Sequence, residues 1–275
     1  MPELADFRKH YARLLMARAG ATDDRLLEAF AAIPREDFLG PGPWTIVVNG
    51  DRIVTPSSDP CYVYNNSLIA LDDERNNGEP LLHAMWMAKI KPQPGETVIQ
   101  VGAGSGYYTA LLAHLVAQTG HVRAYEIDTP LAARARFNLD AYRNIEVVED
   151  NAAGSELGPC DVIYVNAGVI APPVGWLSAL RPGGRLVFPW RPSQEIGLAV
   201  LVTRTDGGYA VEAFMHSWFI PCVGATDARD IVKAPSPAAA KSSRSIQLAG
   251  ERPPDKTATA VFRDVWFSSA PPQAG

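Results

Sequence analysis

Residues 97–128 read TVIQVGAGSGYYTALLAHLVAQTGHVRAYEID, and the order of residue types in this stretch decides the fold. Thr97 to Val101 are largely β-branched and apolar, as a buried strand requires. Gly102, Gly104 and Gly106 interrupt that run, and Leu111, Leu112 and Leu115 then recur with helical spacing. The glycines let the chain turn sharply and let a ligand approach the backbone where a β-carbon would collide. A second strand ends at Glu126, twenty residues beyond Gly106. A carboxylate at that place accepts hydrogen bonds from the two hydroxyls of a ribose. Strand, glycine turn, helix, strand and acidic residue together imply a ribose-bearing ligand.

Working outward, the alternation continues. A helix is expected over 130–142, strands over 145–148 and 162–165, a helix over 174–180 and a strand over 185–188, the pattern of a parallel, doubly wound α/β sheet. Residues 198–203 and 209–219 read as two further strands joined by Asp206-Gly207-Gly208. Upstream, Phe7, Tyr11, Leu14 and Leu15 form one helical stripe, and Leu26, Leu27, Phe30 and Ile33 form another, with Asp23 and Asp24 at its favourable end. Residues 39–80 are rich in turn formers; TIVVNGDRIVT at 45–55 reads as a hairpin about Asn49-Gly50, and a connection of this length is more often lid-like than idle. Pro80 opens a helix carrying Leu82, Met85, Trp86 and Ile90. Residues 233–256, dominated by Pro, Ala, Ser and Lys, read as a linker, whereas 257–269 recover strand-like alternation through Val261, Val265 and Phe267. Three regions result: N-terminal helices with a substrate-side cap at 1–92, a cofactor-binding core at 93–222, and an extension at 223–275 whose docking strand lies near 257–269.

Composition excludes several function classes. With 275 residues, 47% of them hydrophobic, the chain can bury one substantial core. The net charge of −5 and the lack of a Lys/Arg cluster argue against nucleic acid as a partner. Cys61, Cys160 and Cys222 are widely separated, so neither a disulfide framework nor a metal site is expected, and a reducing, cytoplasmic compartment is. The charged N-terminus resembles no signal peptide, and no run approaches the ~18 apolar residues of a membrane span.

The loop reads GxGxG, followed by Tyr107, Tyr108 and Thr109, where dinucleotide sites read GxGxxG, so a nicotinamide oxidoreductase is the weaker match. The stretch resembles class I S-adenosylmethionine-dependent methyltransferases. More narrowly, about residues 30–220 resemble the protein-L-isoaspartate O-methyltransferase family through IPREDF at 33–38, GAGSGYYTALLAHL at 102–115, CDVIYVNAG at 160–168 and LRPGGRLVFP at 180–189. The resemblance implies a Rossmann-like seven-stranded sheet closed by an antiparallel pair, with S-adenosylmethionine as cofactor. It implies a binding set of Gly102, Ala103, Gly104, Gly106, Tyr107, Glu126, Ile127, Asp150, Asn151 and Asn166. In that set Asp150 and the Asn151 amide would read the adenine, and Tyr107 or Tyr108 would pack on the cofactor or in the core.

Methyl transfer from a sulfonium is an in-line displacement, and an acceptor carboxylate with a pKa near ~3.9 needs no base at neutral pH. The family supplies a Ser-Gln-Pro segment with the Ser hydroxyl near the reacting carboxylate, whereas this chain has Asn77-Gly78-Glu79-Pro80. Candidate catalytic residues are therefore Asn77, as an amide donor, and Glu79 with His83 one helical turn on, as a base for another nucleophile. Alternatively, Asn77-Gly78 is a turn, Glu79 a helix-start carboxylate and His83 a packed histidine. The expected activity is O-methylation of a carboxyl or other oxygen on a peptide, protein or small metabolite. The alternative is a cofactor-binding adaptor that has lost catalysis.

Overall fold

The structure, a computed structural model, describes residues 3–48 and 50–272. In chain order the elements are α1 (Leu4–Ala19), α2 (Asp24–Ala32), β1 (Thr45–Val48), β2 (Asp51–Val54), β3 (Leu68–Ile69), α3 (Pro80–Ile90), β4 (Thr97–Val101), α4 (Tyr107–Val116), β5 (His121–Glu126), α5 (Thr129–Leu139) and β6 (Ile145–Glu149). They continue with β7 (Cys160–Val165), α6 (Val174–Ala179), β8 (Leu180–Ser193), β9 (Ile196–Thr205), β10 (Gly208–His216), β11 (Ile231–Lys233), α7 (Pro237–Ser242), β12 (Ser245–Leu248), β13 (Ala258–Phe262) and β14 (Val265–Ser268). Two compact units divide the chain, one of residues up to Glu96 with Ala103–Glu149, the other of Thr97–Gly102 with the chain from Asp150 onward.

In the first unit, α1 buries Tyr11, Ala12, Leu15 and Met16, while Phe7 and Leu14 are exposed. The buried stripe is thus turned about one residue from the expected one, because small Ala12 lets the helix sit on that side. Asp23 caps α2 by accepting the Arg25 N–H, and the Arg25 guanidinium reaches the carbonyls of Pro92 and Leu115. The α2 side chains Leu26, Ala29 and Phe30 are buried. β1 pairs with β2 in the expected hairpin and with β3 on its other edge; Asn49, half of the expected turn, lies outside the described residues. α3 begins at Pro80 as expected. β5 and β6 run parallel, and α5 begins when Asp128 accepts the Leu131 N–H.

In the second unit, β4 pairs parallel with β7 and β7 with β8, before β9 and β10 continue antiparallel. β4 and β7 to β10 supply five strands of the expected sheet here, and β5 and β6 supply the remaining parallel pair in the first unit. The extension departs from expectation: where a linker was read, α7 and β12 form, and β12 pairs with β10. Ser236 starts α7 by accepting the Ala239 N–H, a cap that composition alone conceals. The single docking strand is in fact two. Residues 263–264 turn the chain between β13 and β14, which pair antiparallel, so Val261 and Val265 do not share one strand. The strand order β11-β13-β14-β12-β10 carries this sheet four strands further. Trp266 and Phe267 are fully buried there, each contributing on the order of 2–3 kcal/mol of apolar burial.

Candidate functional site

The glycine turn is laced to the end of β5. Ala103 donates its N–H to the Tyr125 carbonyl at 3.0 Å, and Gly104 donates to Glu126 Oε2 at 2.7 Å. Glu126 Oε1 accepts the Asp128 N–H at 3.1 Å. Burial raises the pKa of this carboxyl, opposed by the hydrogen bonds from Asp128 and Gly104. An ionised carboxylate has about four acceptor positions, and the backbone groups of Asp128, Gly104 and Ile127 do not fill them all, so capacity remains for a ligand hydroxyl. At Gly104, with φ +59°, a β-carbon would find no atom nearer than Leu71 Cδ1 at 4.0 Å, which leaves the backbone face free for a ligand. Gly106 serves a different end, since a β-carbon there would sit 2.8 Å from Leu139 Cδ1; this glycine lets α4 pack against α5.

Ile127, next to Glu126, is half exposed. Tyr107 and Tyr108 are buried. Tyr107 packs edge-on against Phe30 and tilted against Phe38, and Tyr108 lies parallel to His83 with ring centroids 3.5 Å apart. These contacts are those of core residues.

The segment before α3 is organised by Arg35, a residue whose role the sequence does not disclose. Its fully buried guanidinium donates to Asn77 Oδ1 and to the carbonyls of Val63, Asn65, Ser67 and Gly78. Asn77 in turn donates through Nδ2 to Ser105 Oγ at 3.2 Å, within the glycine turn. Asn77 is therefore engaged on both sides of its amide. Glu79 stands at the N-terminal end of α3 and accepts a hydrogen bond from Asn66 Nδ2, while Asn66 Oδ1 takes the Leu81 N–H. Asn66, from outside the helix, thus does the capping that Glu79 was read as assisting. His83 is buried, and desolvation first, then the nearby Arg35 charge, lower its pKa to about 3. A buried imidazole of such low basicity is a weak proton acceptor at neutral pH, which favours the alternative reading of His83 as a packed histidine over that of a base with Glu79.

In the second unit, Asn166 follows β7, donating its N–H to the Val101 carbonyl at 2.8 Å and Nδ2 to the Gly102 carbonyl at 2.9 Å. Its Oδ1 is buried without a partner, an acceptor that a ligand donor would satisfy. Asp150 accepts the Ser155 hydroxyl and the Asn151 N–H, which lower its pKa in that order. The Asn151 amide expected to read a ring is thus bonded to Asp150. Cys61, Cys160 and Cys222 are free. Among the described residues no cluster of acidic, His or Cys side chains is placed to hold a metal, and no helix is long and apolar enough to cross a membrane.

Parallel βα units, a glycine turn and an acidic residue closing the following strand define an α/β methyltransferase. The chain belongs to the protein-L-isoaspartate(D-aspartate) O-methyltransferase family, whose model matches residues 9–227. A protein-L-isoaspartate O-methyltransferase of Bradyrhizobium sp. (strain ORS 278) is 30% identical over 81% of this chain and 97% of its own length. A solved protein-L-isoaspartate O-methyltransferase structure superposes with a TM-score of 0.69 at 24% identity, covering 88% of this chain and 73% of that one. Another, from Plasmodium falciparum in complex with S-adenosyl-L-homocysteine, superposes at 0.65 with 18% identity, covering 79% and 98%. The chain is accordingly an enzyme of the methyltransferase class, and residues 228–275, with β12 to β14, lie beyond the family match.

Proposed function

We propose that this chain transfers a methyl group from S-adenosylmethionine to an oxygen nucleophile of a protein or peptide. The observation that carries the cofactor assignment is the bond from the Gly104 N–H to the Glu126 carboxylate, with the Gly104 face open in front of it. Glu126 holds the ribose hydroxyls, Ala103 and Gly104 present backbone to the ligand, and Ile127 offers an apolar surface beside them. In the second unit, the unmatched Asn166 Oδ1 offers an acceptor for a ligand N–H, and Gly102, Asp150 and Asn151 stand at positions that the family resemblance assigns to the cofactor. The family's name supports a carboxyl acceptor on protein, and the Plasmodium complex supports the S-adenosyl ligand.

The bound donor supplies an electrophilic sulfonium methyl group. The chain's part is to align an acceptor oxygen and exclude water, which suits a site without a strong base. A new C–O bond forms as the C–S bond breaks, and an acceptor carboxylate arrives already deprotonated. Asn77, fixed between Arg35 and Ser105, positions the segment before α3; Glu79, held by Asn66, closes that segment; His83 supports it by packing on Tyr108. Calorimetry with S-adenosylhomocysteine, followed by transfer of labelled methyl to isoaspartyl and aspartyl forms of one peptide, tests the reading. Cofactor binding with no turnover on any protein or peptide would favour the adaptor alternative.

A further inference from the structure

Residues 70–76 form a closed loop that no part of the proposed chemistry uses. Ala70 pairs with Asn76, and the N–H groups of Leu71 and Asp72 both donate to the Arg75 carbonyl. Asp72 aligns Arg75: its Oδ1 accepts the N–H groups of Glu74 and Arg75, and its Oδ2 accepts Arg75 Nε at 2.8 Å. From that position Arg75 Nη1 reaches Asp128 Oδ2 at 2.6 Å. Asp128 lies two residues beyond Glu126, caps α5, and has its pKa lowered first by the Arg75 hydrogen bond. At the start of the loop, Leu71 lies over the free face of Gly104. Just past its end, Asn77 is bonded to Ser105. The loop is therefore fastened to both sides of the turn and strand end assigned to the ribose.

We propose that residues 70–76 are a clasp over the ribose side of the cofactor site, and that Arg75, bridging Asp72 and Asp128, is the positioning residue that sets how long an S-adenosyl ligand stays bound. The proposal rests on the cofactor reading above. A ligand lying against Gly104 would lie beside Leu71, whose Cδ1 is 4.0 Å from where a β-carbon would stand, so a loop that yields would ease its release. The loop's own hydrogen bonds draw it into one piece; Arg52 also holds it through the Asp72 and Asp73 carbonyls, and the Arg75–Asp128 pair is the ion pair that ties it to the strand end assigned to the ribose. Both side chains are about a third exposed, so the pair holds weakly enough to open in each turnover. Arg75 acts on residence and not on the displacement step, because nothing places it against an acceptor.

The test is the dissociation rate of S-adenosylhomocysteine from the full chain, measured by surface plasmon resonance, with melting temperature followed in parallel. Arg75→Ala is expected to speed dissociation about two- to fivefold, the range of a partly exposed ion pair, with little change in melting temperature. Arg75→Lys should recover most of the difference. Wild-type dissociation should accelerate as salt rises from about 0.05 to about 0.5 M. Hydrogen exchange at Leu71 and Asp72 should slow when the ligand binds. Dissociation from Arg75→Ala at the wild-type rate would overturn the clasp, as would an equal acceleration in Ala and Lys variants accompanied by lost thermal stability. Should Arg75→Ala fail to fold, a wild-type dissociation rate insensitive to salt overturns it. Absence of S-adenosylhomocysteine binding to the wild-type chain instead overturns the cofactor reading, and the clasp with it.

Discussion

The rings of Trp190 on β8 and Phe267 on β14 lie stacked, with centroids 4.1 Å apart and 12° between their planes. Both are fully buried, and Phe262 meets Phe267 edge-on at 6.0 Å. The extension beyond the family match thus shares a core with the sheet it prolongs. Phe267→Ala is expected to cost about 3–5 kcal/mol by loss of transfer energy and creation of a cavity, read as a lowered urea midpoint. Truncation after Gly250 removes β13 and β14 and exposes Trp190, so the shortened chain should be poorly soluble. A truncated chain as stable and soluble as the full one would show that the extension is dispensable.

Glu126 has a structural part beside the ligand role proposed for it. Its carboxylate accepts the Gly104 and Asp128 N–H groups, so Glu126→Ala strands these backbone donors as well as the proposed ribose hydroxyls. A hydrogen bond to a charged group is worth about 1.5–3 kcal/mol, and S-adenosylhomocysteine affinity by calorimetry should fall on the order of ten- to a hundredfold. Melting temperature should fall too, a cost that the sequence, which suggests only a ribose role, does not foretell. Unchanged affinity would move the cofactor site elsewhere.

His83 makes the fold acid-sensitive. Its pKa is lowered to about 3 from 6.5, so below pH ~6.5 the unfolded chain takes up a proton that the folded chain refuses. Stability contributed by the neutral imidazole is complete above that pH and declines by up to about 1.4 kcal/mol per pH unit as pH falls toward 3. His83→Phe keeps a ring to stack on Tyr108 and should flatten this dependence in denaturation series at pH 7, 6, 5 and 4, values chosen to span roughly that window. Turnover at pH ~7 should fall less than about tenfold, whereas loss of a general base costs about 10²–10⁴. A drop of that larger size with the fold intact would restore the catalytic assignment of His83.

Elements whose residues alternate or recur against one buried surface were legible in the sequence. Pro80, Gly102 and Glu126 each mark a boundary that the structure repeats, because a fixed φ, a positive φ and a strand-end carboxylate act locally. Residues 233–256 were not legible: β12 exists because β10 and β14 offer it edges, and no local pattern announces partners that distant. Arg35 was hidden for the same reason. Apart from Asn77 Oδ1, its acceptors are backbone carbonyls 28 to 43 residues away, which carry no signature of residue type. His83 and Glu79 stand one helical turn apart but are engaged separately, Glu79 by Asn66 and His83 by Tyr108, partners that no local pattern announces.

The substrate prediction turns on Gly78 and Glu79. Gly78 has φ +73°, and a β-carbon there would lie 2.7 Å from His83 Nε2 and 3.0 Å from Tyr108 Cε2, so no side-chain hydroxyl fits without moving His83. Gly78→Ser should therefore destabilise by about 1–3 kcal/mol and leave isoaspartyl methylation no better. Two carboxylates ~4 Å apart repel by about 1 kcal/mol in water and about 4 kcal/mol at an effective dielectric near 20. A Glu79 carboxylate turned toward an isoaspartyl carboxylate would thus disfavour its binding, and the wild-type chain should be a poor catalyst on such peptides. Glu79→Gln keeps the shape, retains an acceptor for Asn66 and removes the charge. It should raise kcat/KM for an isoaspartyl peptide at least about fivefold, the equivalent of the weaker repulsion. A strong loss of turnover with cofactor affinity intact would instead make Glu79 the partner of a polar or cationic acceptor group. Efficient wild-type methylation of an isoaspartyl peptide over its aspartyl twin would overturn the prediction, because it would mean that neither the missing hydroxyl nor the added charge bears on the acceptor.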